Sequence, residues 1–452
     1  MATRAEHIHF VGIGGIGMSA LALLLSRQGK QVSGTDRTDS VLLDSLRKAG
    51  IDITIGHSAA AVEGADLLVY SSAIKADNPE RVYAHSNGIP EIRRAEMLGQ
   101  IARAYQHTVA IAGTHGKTTT TGMCGQILIE AGLDPSILVG GILPNLDSNL
   151  RLGALDTIVV EADEYDRSFL ALSPDRILVT TLEADHLDIY KDLQDVRDTF
   201  FQFISKLDED SILILAGDDQ ELRDLGSRSP IPPIYYGVSK SVDYQATNIK
   251  NDTFSSQFTV VHGGRELGTI KLNMPGIHNI LNALGSLSMS MEMGIEFAAI
   301  KQGLESFQGV ERRFERKGTL NGVLFVDDYA HHPSEVAATL KAAQNGWPDS
   351  RIIAVFQPHL YSRTRDFAPE FAEALQIADL AIVTDIYPAR EKPILGVDSR
   401  LITDSSQTLL LKPTMQDVLQ FLEGELQEND ILITLGAGDI WKLHELFLKG
   451  NS

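Results

Sequence analysis

The sequence predicts an α/β protein made of three domains. Short apolar, β-branched runs alternate with helix-periodic runs along most of the chain, and this alternation is typical of parallel sheets covered by helices. The 452 residues are too many for one hydrophobic core and suggest two to four domains. The alternation begins anew at two later points, so we place the domains at residues 1–103, 104–312 and 313–452.

The first domain is expected to be Rossmann-like, with a glycine-rich turn after its first strand. Strand and helix runs alternate at residues 7–11, 18–27, 31–34, 42–49, 53–55 and 65–70. The turn GIGGIG places Gly12, Gly14 and Gly17 in the pattern G-x-G-x-x-G, whose glycines let the backbone approach a phosphate closely. Asp36 closes the second strand, where an acid would bind a ribose. Taken alone, this pattern is a weak signal that also fits a nicotinamide cofactor.

The second domain opens with the motif GTHGKTTTT at residues 113–121, between an apolar β-branched run and a helix-periodic run. In this setting the loop N–H groups and the helix N-terminus face the phosphates of a nucleoside triphosphate. Lys117 would contact the β and γ oxygens, and the Thr118 hydroxyl would bind Mg²⁺ or Mn²⁺. The loop is a shortened P-loop, because the full motif would need glycine in place of Ile111. We therefore expect a central P-loop ATPase domain.

Two further strands of this domain end in acidic side chains. The run 156–160 leads into Glu161, Asp163 and Glu164, and the run 176–182 leads into Glu183, Asp185 and His186. Parallel strands share one carboxyl edge with the phosphate loop, so Glu161 and His186 are expected to join Thr118 at a metal–phosphate cluster. The alternative is that each is a cap or a solvated loop residue.

An apolar helix and a β-rich insertion complete the second domain. The helix at residues 276–291 carries Asn279 and Asn282 on one face, where two amides could bind a nucleotide. Asn279 could equally cap the helix. The insertion at residues 242–272 is alternating and rich in glycine, and the sequence assigns it no role.

The third domain is expected to be another Rossmann-like sheet with histidine and arginine at its strand ends. Its predicted elements lie at residues 323–326, 333–343, 351–356, 367–377, 380–384, 415–426, 431–435 and 440–448. The segments DDYAHHP, QPHLYSRTRD and YPAREKP follow three of these strands as loops. Such a collection of titratable residues at one edge indicates a functional site rather than scattered surface residues.

Composition and charge exclude several classes of protein. The chain has 60 acidic and 39 basic residues, a net charge of −21 that argues against general nucleic-acid binding. The single cysteine, Cys124, excludes an internal disulfide and fits a reducing compartment. No apolar run approaches the roughly 18 residues of a spanning helix, and the N-terminus lacks a signal-peptide core. We expect a cytosolic protein without membrane or nucleic-acid partners.

These motifs together resemble the Mur ligases of peptidoglycan synthesis along nearly the whole chain. The resemblance rests on the motifs GIGGIGMSALA, SSAI, GTHGKTTTT, EADE, EADHLDIY, HNILNA, RRF, DDYAHHPSE and QPHLYSRTRD, in this order. It implies three α/β domains that bind a UDP-sugar, ATP and an amino acid, respectively. In such ligases the N-terminal glycine turn receives the diphosphate of the UDP-sugar.

The resemblance also implies roles for individual residues. The UDP-sugar would be bound by Gly12, Gly14, Gly15, Gly17, Asp36, Ser71 and Ser72. ATP would be bound by Gly113, Thr114, His115, Gly116, Lys117, Thr118, Thr119, Asn279 and Arg313. The metal would be bound by Thr118, Glu161 and His186. The amino acid would be bound by Tyr329, His331, Arg363 and Arg365. The catalytic set would be Lys117, Glu161, His186, Asn279, Asn282, Arg313 and Asp328.

The implied activity is ATP-dependent ligation of L-alanine to the lactyl carboxylate of UDP-N-acetylmuramate through an acyl phosphate, by a monomer or homodimer. Asp328 and His331 are both candidates to receive the amine proton. A tripeptide-adding recycling ligase is the alternative within the family, although QPHLYSRTRD favours free alanine. An NAD-dependent oxidoreductase would leave the ATP loop idle. A non-enzymatic nucleotide switch would leave the first domain idle.

Overall fold

A computed structural model describes residues 4–404 and 406–449, and the chain divides into two compact units. The first unit comprises Met1–Glu183, Gln194–Asp243 and Gly285–Gly303, as far as these are described. The second unit comprises Ala184–Leu193, Tyr244–Leu284 and Leu304–Ser452, within the same limits. Among the described residues, every helix is too short or too polar to cross a bilayer.

The N-terminal sheet of the first unit has five parallel strands. They are β1 His7–Val11, β2 Gln31–Asp36, β3 Asp52–Ile55, β4 Leu67–Tyr70 and β5 Glu91–Arg93, in the order β3-β2-β1-β4-β5. The helices are α1 Ile16–Arg27, α2 Val41–Lys48, α3 Pro79–Ser86 and α4 Arg94–Ala102. Val11 pairs with Thr35, so the glycine turn and Asp36 meet at the carboxyl edge. The predicted Rossmann-like sheet is confirmed.

A second sheet of the first unit carries the phosphate loop. Its strands are β6 His107–Ala112, β7 Ser136–Leu143, β8 Ser148–Arg151, β9 Thr157–Glu161, β10 Arg176–Val179, β11 Ile212–Ala216 and β12 Ile234–Gly237. The order is β12-β11-β10-β6-β9-β7-β8, and only β7 and β8 pair antiparallel. The helices are α5 Lys117–Glu130, α6 Leu193–Ile204 and α7 Gln220–Ser227. Because β6 lies between β9 and β10, the phosphate loop borders both neighbouring strand ends.

The second unit contains an antiparallel meander, which confirms the predicted β-rich insertion. Its strands are β13 Tyr244–Asp252, β14 Ser255–His262 and β15 Arg265–Leu272. Two helices follow, α8 Ile277–Glu292 and α9 Phe297–Ser306, each with residues in both units.

The C-terminal sheet of the second unit has six strands and is covered by helices. The strands are β16 Glu315–Leu320, β17 Val323–Asp328, β18 Ile352–Phe356, β19 Leu380–Val383, β20 Leu409–Leu411 and β21 Ile431–Leu435. Their order is β16-β17-β21-β18-β19-β20, parallel except for β16. The helices are α10 Pro333–Gly346, α11 Tyr361–Leu375, α12 Arg400–Thr403, α13 Met415–Glu425 and α14 Lys442–Lys449. Separate apolar clusters form the core on the two faces.

One predicted boundary of this sheet is wrong. Helix α11 begins at Tyr361, whereas the sequence pattern placed its start at residue 367 and left the preceding segment as a loop. The first turns have the polar sequence YSRTRD, which shows no apolar helical period. Arg363 and Thr364 in these turns are nonetheless buried. The apolar period starts at Phe367 because the six residues before it are polar, and Phe367 itself departs from the helical conformation. Arg363 and Arg365 therefore project from a helix, not from a loop.

Candidate active site

Two glycines of the phosphate loop adopt backbone conformations that other residues rarely adopt. The φ angle is +129° at Gly113 and +83° at Gly116. A Cβ atom at Gly113 would lie only 2.2 Å from Thr180 Oγ1, so both conformation and space require glycine. Helix α5 then begins at Lys117. Its N-cap residue, Gly116, has no side chain that could accept a hydrogen bond from the first turn. The N–H groups of its first turn can therefore receive an anion.

The segment after β10 holds the rest of the loop. Thr114 N donates a hydrogen bond to Thr181 O at 3.0 Å, and His115 N donates to Thr181 Oγ1 at 2.9 Å. In the reverse direction, Glu183 N donates to Thr114 Oγ1 at 2.9 Å. Thr119 is buried in the first turn of α5. The loop is thus fixed in place by hydrogen bonds from backbone and threonine side chains of its own sheet.

Lys117 lies inside this loop with three acceptors of the protein around its ammonium group. Nζ donates to Gly113 O at 2.7 Å, to Thr114 O at 3.1 Å and to Glu164 Oε1 at 2.9 Å. Burial alone would lower the pKa of Lys117, but the carboxylates of Glu164 and Asp163 outweigh burial and raise it. Lys117 therefore stays charged at neutral pH. Sequence reasoning missed Glu164 as its partner.

Glu161 and Thr118 meet beside the loop, as their positions predicted. Glu161 Oε1 accepts a hydrogen bond from Thr118 Oγ1 at 3.1 Å, and Oε2 accepts one from Gly140 N at 2.8 Å. A hydroxyl and a carboxylate are the oxygen donors that Mg²⁺ prefers, so this pair fits such an ion. His186, the third predicted ligand, belongs to the second unit. The metal-binding role of all three remains a prediction.

The glycine turn of the first unit is held by the end of β2. Gly12, with φ at +80°, donates from N to Thr35 O at 2.8 Å. Asp36 Oδ2 accepts from Gly14 N at 2.9 Å, so this carboxylate closes the turn itself instead of serving only a ligand. Gly15 caps α1.

The two predicted serines lie just after β4. A Cβ atom at Gly12 would lie 3.4 Å from Ser71 Oγ, which places this hydroxyl beside the turn. Ser72 is exposed. The turn and Ser71 thus form one small surface at the carboxyl edge of the sheet.

The amides of α8 contact each other in the second unit. Asn279 Nδ2 donates to Pro275 O at 2.8 Å, and Asn282 Nδ2 lies 3.5 Å from Asn279 Oδ1. Both side chains are buried. Asn279 therefore ties the start of α8 to the preceding loop.

Asp328 is buried at the end of β17, and its carboxylate accepts three hydrogen bonds. Oδ2 accepts from Phe314 N and from Thr339 Oγ1, both at 3.0 Å, and Oδ1 accepts from Ala330 N at 2.8 Å. Burial raises the pKa of Asp328 to about 6. Because of these bonds, we expect Asp328 to hold the loop after β17 in place rather than to accept the proton of the amine.

The predicted cations and rings of the second unit cluster after β17. The Arg313 guanidinium lies 5.1 Å from the centre of the Tyr329 ring, and its Nη1 is 3.8 Å from Glu335 Oε1. His331 Nδ1 lies 2.9 Å from Tyr329 O, an arrangement that leaves Nε2 as the acceptor. Burial lowers the pKa of His331 to about 3, so this ring is neutral at pH 7.

The two predicted carboxylate-binding arginines have different surroundings. Arg363 is buried, and its Nη2 donates to Asp185 Oδ1 at 2.8 Å and to Oδ2 at 3.1 Å. Arg365 is exposed and pairs with its neighbour Asp366 at 2.7 Å. Arg363 is also an electrostatic neighbour of His331. The structure therefore groups Arg363, and not Arg365, with His331.

A recess of about 220 Å³, including its solvent-open part, lies beside this ion pair. Its lining residues are Asp185, His186, Leu187, Asp188, Leu360, Ser362, Arg363, Asp366 and Phe367. Leu360 precedes α11 with φ at +73°, a conformation rare for leucine, and its N donates to Tyr387 O at 3.0 Å. Such strain is often found at functional sites.

Comparison with known proteins places the chain in one family. Three family models match in succession: "Mur ligase family, catalytic domain" at residues 7–106, "Mur ligase middle domain" at 111–290 and "Mur ligase, glutamate ligase domain" at 312–438. Proteins named UDP-N-acetylmuramate–L-alanine ligase are similar to the chain. The one from Trichlorobacter lovleyi is 44% identical over 99% of this chain and 100% of its own length. The one from Geobacter sp. strain M21 is 44% identical over 99% and 98%.

Solved structures agree with these sequence matches. The UDP-N-acetylmuramate-alanine ligase MurC of Thermotoga maritima superposes with a TM-score of 0.84 at 30% identity, covering 98% of this chain and 99% of that one. A murein peptide ligase of Psychrobacter arcticus gives a TM-score of 0.74 at 26% identity, covering 98% of both chains. The fold and the matched domains extend over nearly the whole sequence. The chain therefore belongs to the Mur ligase family.

Proposed function

We propose that the protein is an ATP-dependent ligase that joins L-alanine to the lactyl carboxylate of UDP-N-acetylmuramate. The observation that carries this proposal is the presence, in one compact unit, of a phosphate loop with a charged Lys117 and a separate glycine turn. Relatives at 44% identity over nearly their full length are named for this activity. A ligase of this kind has a substrate for both the phosphate loop and the glycine turn. An oxidoreductase would leave the phosphate loop without one, and a nucleotide switch would leave the glycine turn without one.

The chemistry requires activation of the carboxylate, because a carboxylate and an ammonium do not condense in neutral water. The carboxylate oxygen attacks the γ-phosphorus of ATP, giving an acyl phosphate and ADP. Lys117 is placed to neutralise the charge that develops on the phosphoryl oxygens. Mg²⁺ held by Thr118 and Glu161 would add further neutralisation when bound. The alanine amine then attacks the acyl carbon and expels phosphate, which leaves the amide.

Alanine is favoured over a tripeptide because the relatives at 44% identity are named for alanine ligation. The recess beside Arg363 is a candidate place for the amino acid. Arg363 offers a guanidinium for the carboxylate of the amino acid, although Asp185 already engages one of its nitrogens. A tripeptide-adding activity is the second candidate, since the murein peptide ligase of Psychrobacter arcticus shares the fold over 98% of the chain.

Phosphate release provides a direct test. ATP and UDP-N-acetylmuramate are supplied with alanine, serine, glycine or the tripeptide, and Lys117→Ala protein is the control. We expect release that depends on both UDP-N-acetylmuramate and alanine, and that is absent in the variant. Release with the tripeptide alone would support the second candidate. Release independent of UDP-N-acetylmuramate would contradict both. Location in the cytosol and action as a monomer or homodimer are further parts of the proposal.

A further inference from the structure

The guanidinium of Arg94 lies against the start of helix α1, next to the glycine turn. A Cβ atom built on Gly17 would lie 2.7 Å from Arg94 Nη1 and 3.4 Å from Cζ. A methyl group at Gly17 would therefore displace the guanidinium. The third glycine of the G-x-G-x-x-G pattern leaves space for a cation in this protein. The usual explanation for a glycine at this position is close packing of the helix on the strand.

Arg94 has hydrogen-bonding capacity that the protein does not use. A guanidinium carries five N–H donors in a planar fork. Within residues 4–404 and 406–449, Arg94 donates one hydrogen bond, from Nη2 to Asp163 Oδ2 at 3.2 Å. The side chain is 25% exposed, so its remaining donors are not all enclosed by the protein.

The electrostatics at this position call for an anion. The guanidinium lies beside the first turn of α1, where the helix dipole is positive, and the described first turn contains no acidic residue. Asp163 supplies one negative charge to one nitrogen of Arg94. A diphosphate seated in the turn would neutralise both the guanidinium and the helix end, and planar guanidinium groups suit phosphate oxygens well.

The partner of Arg94 belongs to the acidic segment beside the phosphate loop. Asp163 lies one residue before Glu164, which holds Lys117. Asp163 Oδ1 also accepts from Tyr165 N at 3.1 Å, so its carboxylate is fixed by its own segment. Asp163 therefore offers the Arg94 guanidinium an acceptor whose own position is fixed.

We propose that Arg94 binds the diphosphate of the UDP-sugar and that Asp163 is the residue that positions it. This inference rests on the proposed function, which supplies a UDP-sugar to the glycine turn. Arg94 bonds directly to the substrate, whereas Asp163 acts only through Arg94.

Equilibrium binding tests the proposal with variants of Arg94 and a neighbouring control. Isothermal titration calorimetry measures the Kd of four ligands: UDP-N-acetylmuramate, UDP, UMP and ATP. Each ligand is titrated into the wild-type protein and into the variants Arg94→Met, Arg94→Lys and Arg93→Met. Arg93 is the matched control because it also pairs with an acid of the same segment, Asp166, at 3.2 Å. Methionine keeps an apolar stem for packing and removes only the cation.

We expect Arg94→Met to raise the Kd for UDP-N-acetylmuramate and for UDP by about tenfold or more. The Kd for UMP should rise less, Arg94→Lys should recover part of the loss, and Arg93→Met should stay within about twofold of wild type. Unchanged ATP affinity shows that each variant is folded.

Two results would overturn the proposal: UDP affinity that is unchanged in Arg94→Met, or an equal loss for UDP and UMP. Failure of the wild-type protein to bind UDP-N-acetylmuramate at all would instead refute the proposed function. The two failures are therefore distinguishable.

Discussion

Replacement of Asp185 by asparagine tests the buried ion pair that positions Arg363. The side chains of Arg363 and Asp185 are 5% and 6% exposed, so water cannot replace a lost partner. Removing one partner of a buried pair typically costs about 3–5 kcal/mol. Asparagine keeps one acceptor oxygen, so we expect the lower end of this range, about 3 kcal/mol, at pH 7.

The same variant should change how stability depends on pH. Burial alone would raise the pKa of Asp185, but Arg363 and His186 outweigh burial and hold this pKa below its usual range. A carboxyl with a lowered pKa stabilises the fold above its unfolded pKa of about 3.9, and the stabilisation is lost as the pH falls. The wild-type free energy of unfolding should therefore fall by about 1.4 kcal/mol per pH unit below that point from this group. The asparagine side chain does not bind a proton in this pH range, so the free energy of unfolding of the variant should lack this contribution.

Tryptophan fluorescence suits this measurement, because both tryptophans of the chain, Trp347 and Trp441, lie in the second unit. Urea unfolding is followed from pH 7 down to pH 3 for wild type, Asp185→Asn and Asp398→Asn. Asp398 forms an exposed pair with Arg400, so its variant should lose less than about 1 kcal/mol. Equal acid slopes in wild type and Asp185→Asn, or a loss at pH 7 no larger than that of Asp398→Asn, would refute the reasoning.

Three further predictions concern activity. Lys117→Ala should lower kcat by about a hundredfold or more, roughly 3 kcal/mol in the barrier, with circular dichroism unchanged; near-normal turnover would contradict the assignment of the phosphate loop. Glu161→Ala should raise the Mg²⁺ concentration needed for half-maximal rate without altering UDP-sugar affinity, and an unchanged Mg²⁺ titration would return Glu161 to a structural role. Arg363→Lys should raise the KM for alanine but not for ATP, while Arg365→Lys should alter neither; the reverse pattern would move the carboxylate contact to Arg365.

Much of the fold could be predicted because the alternation of buried strands and helices is local information. Strands β6 and β21 begin and end where the apolar runs do. Strands β7 and β8 were not predicted, since the run SILVGGIL contains two glycines and lacks a strand pattern. Helix α11 was started too late because its first buried side chain, Arg363, is a cation that no apolar period includes.

The partners of the site residues could not be predicted in the same way. Asp185 and Arg363 are 178 residues apart in sequence, and Lys117 and Glu164 are 47 apart. Sequence placed Glu164 and Asp185 at strand ends without showing which cation each would meet. For Asp36 the sequence predicted a ligand contact. The structure shows that its carboxylate also accepts a hydrogen bond from Gly14 N, a contact within the protein that the sequence did not indicate.

The surroundings of Lys117 have a consequence for the choice of anion. Its ammonium group already has three acceptors, two of them carbonyl oxygens of the loop itself. A small anion such as phosphate or sulfate can use the N–H groups of the loop, but it must compete with Glu164 for the charge of Lys117. A nucleoside triphosphate brings several charged groups and a base, so it can replace the Glu164 contact and still gain affinity. We therefore expect this loop to bind a nucleoside triphosphate more tightly than a small inorganic anion.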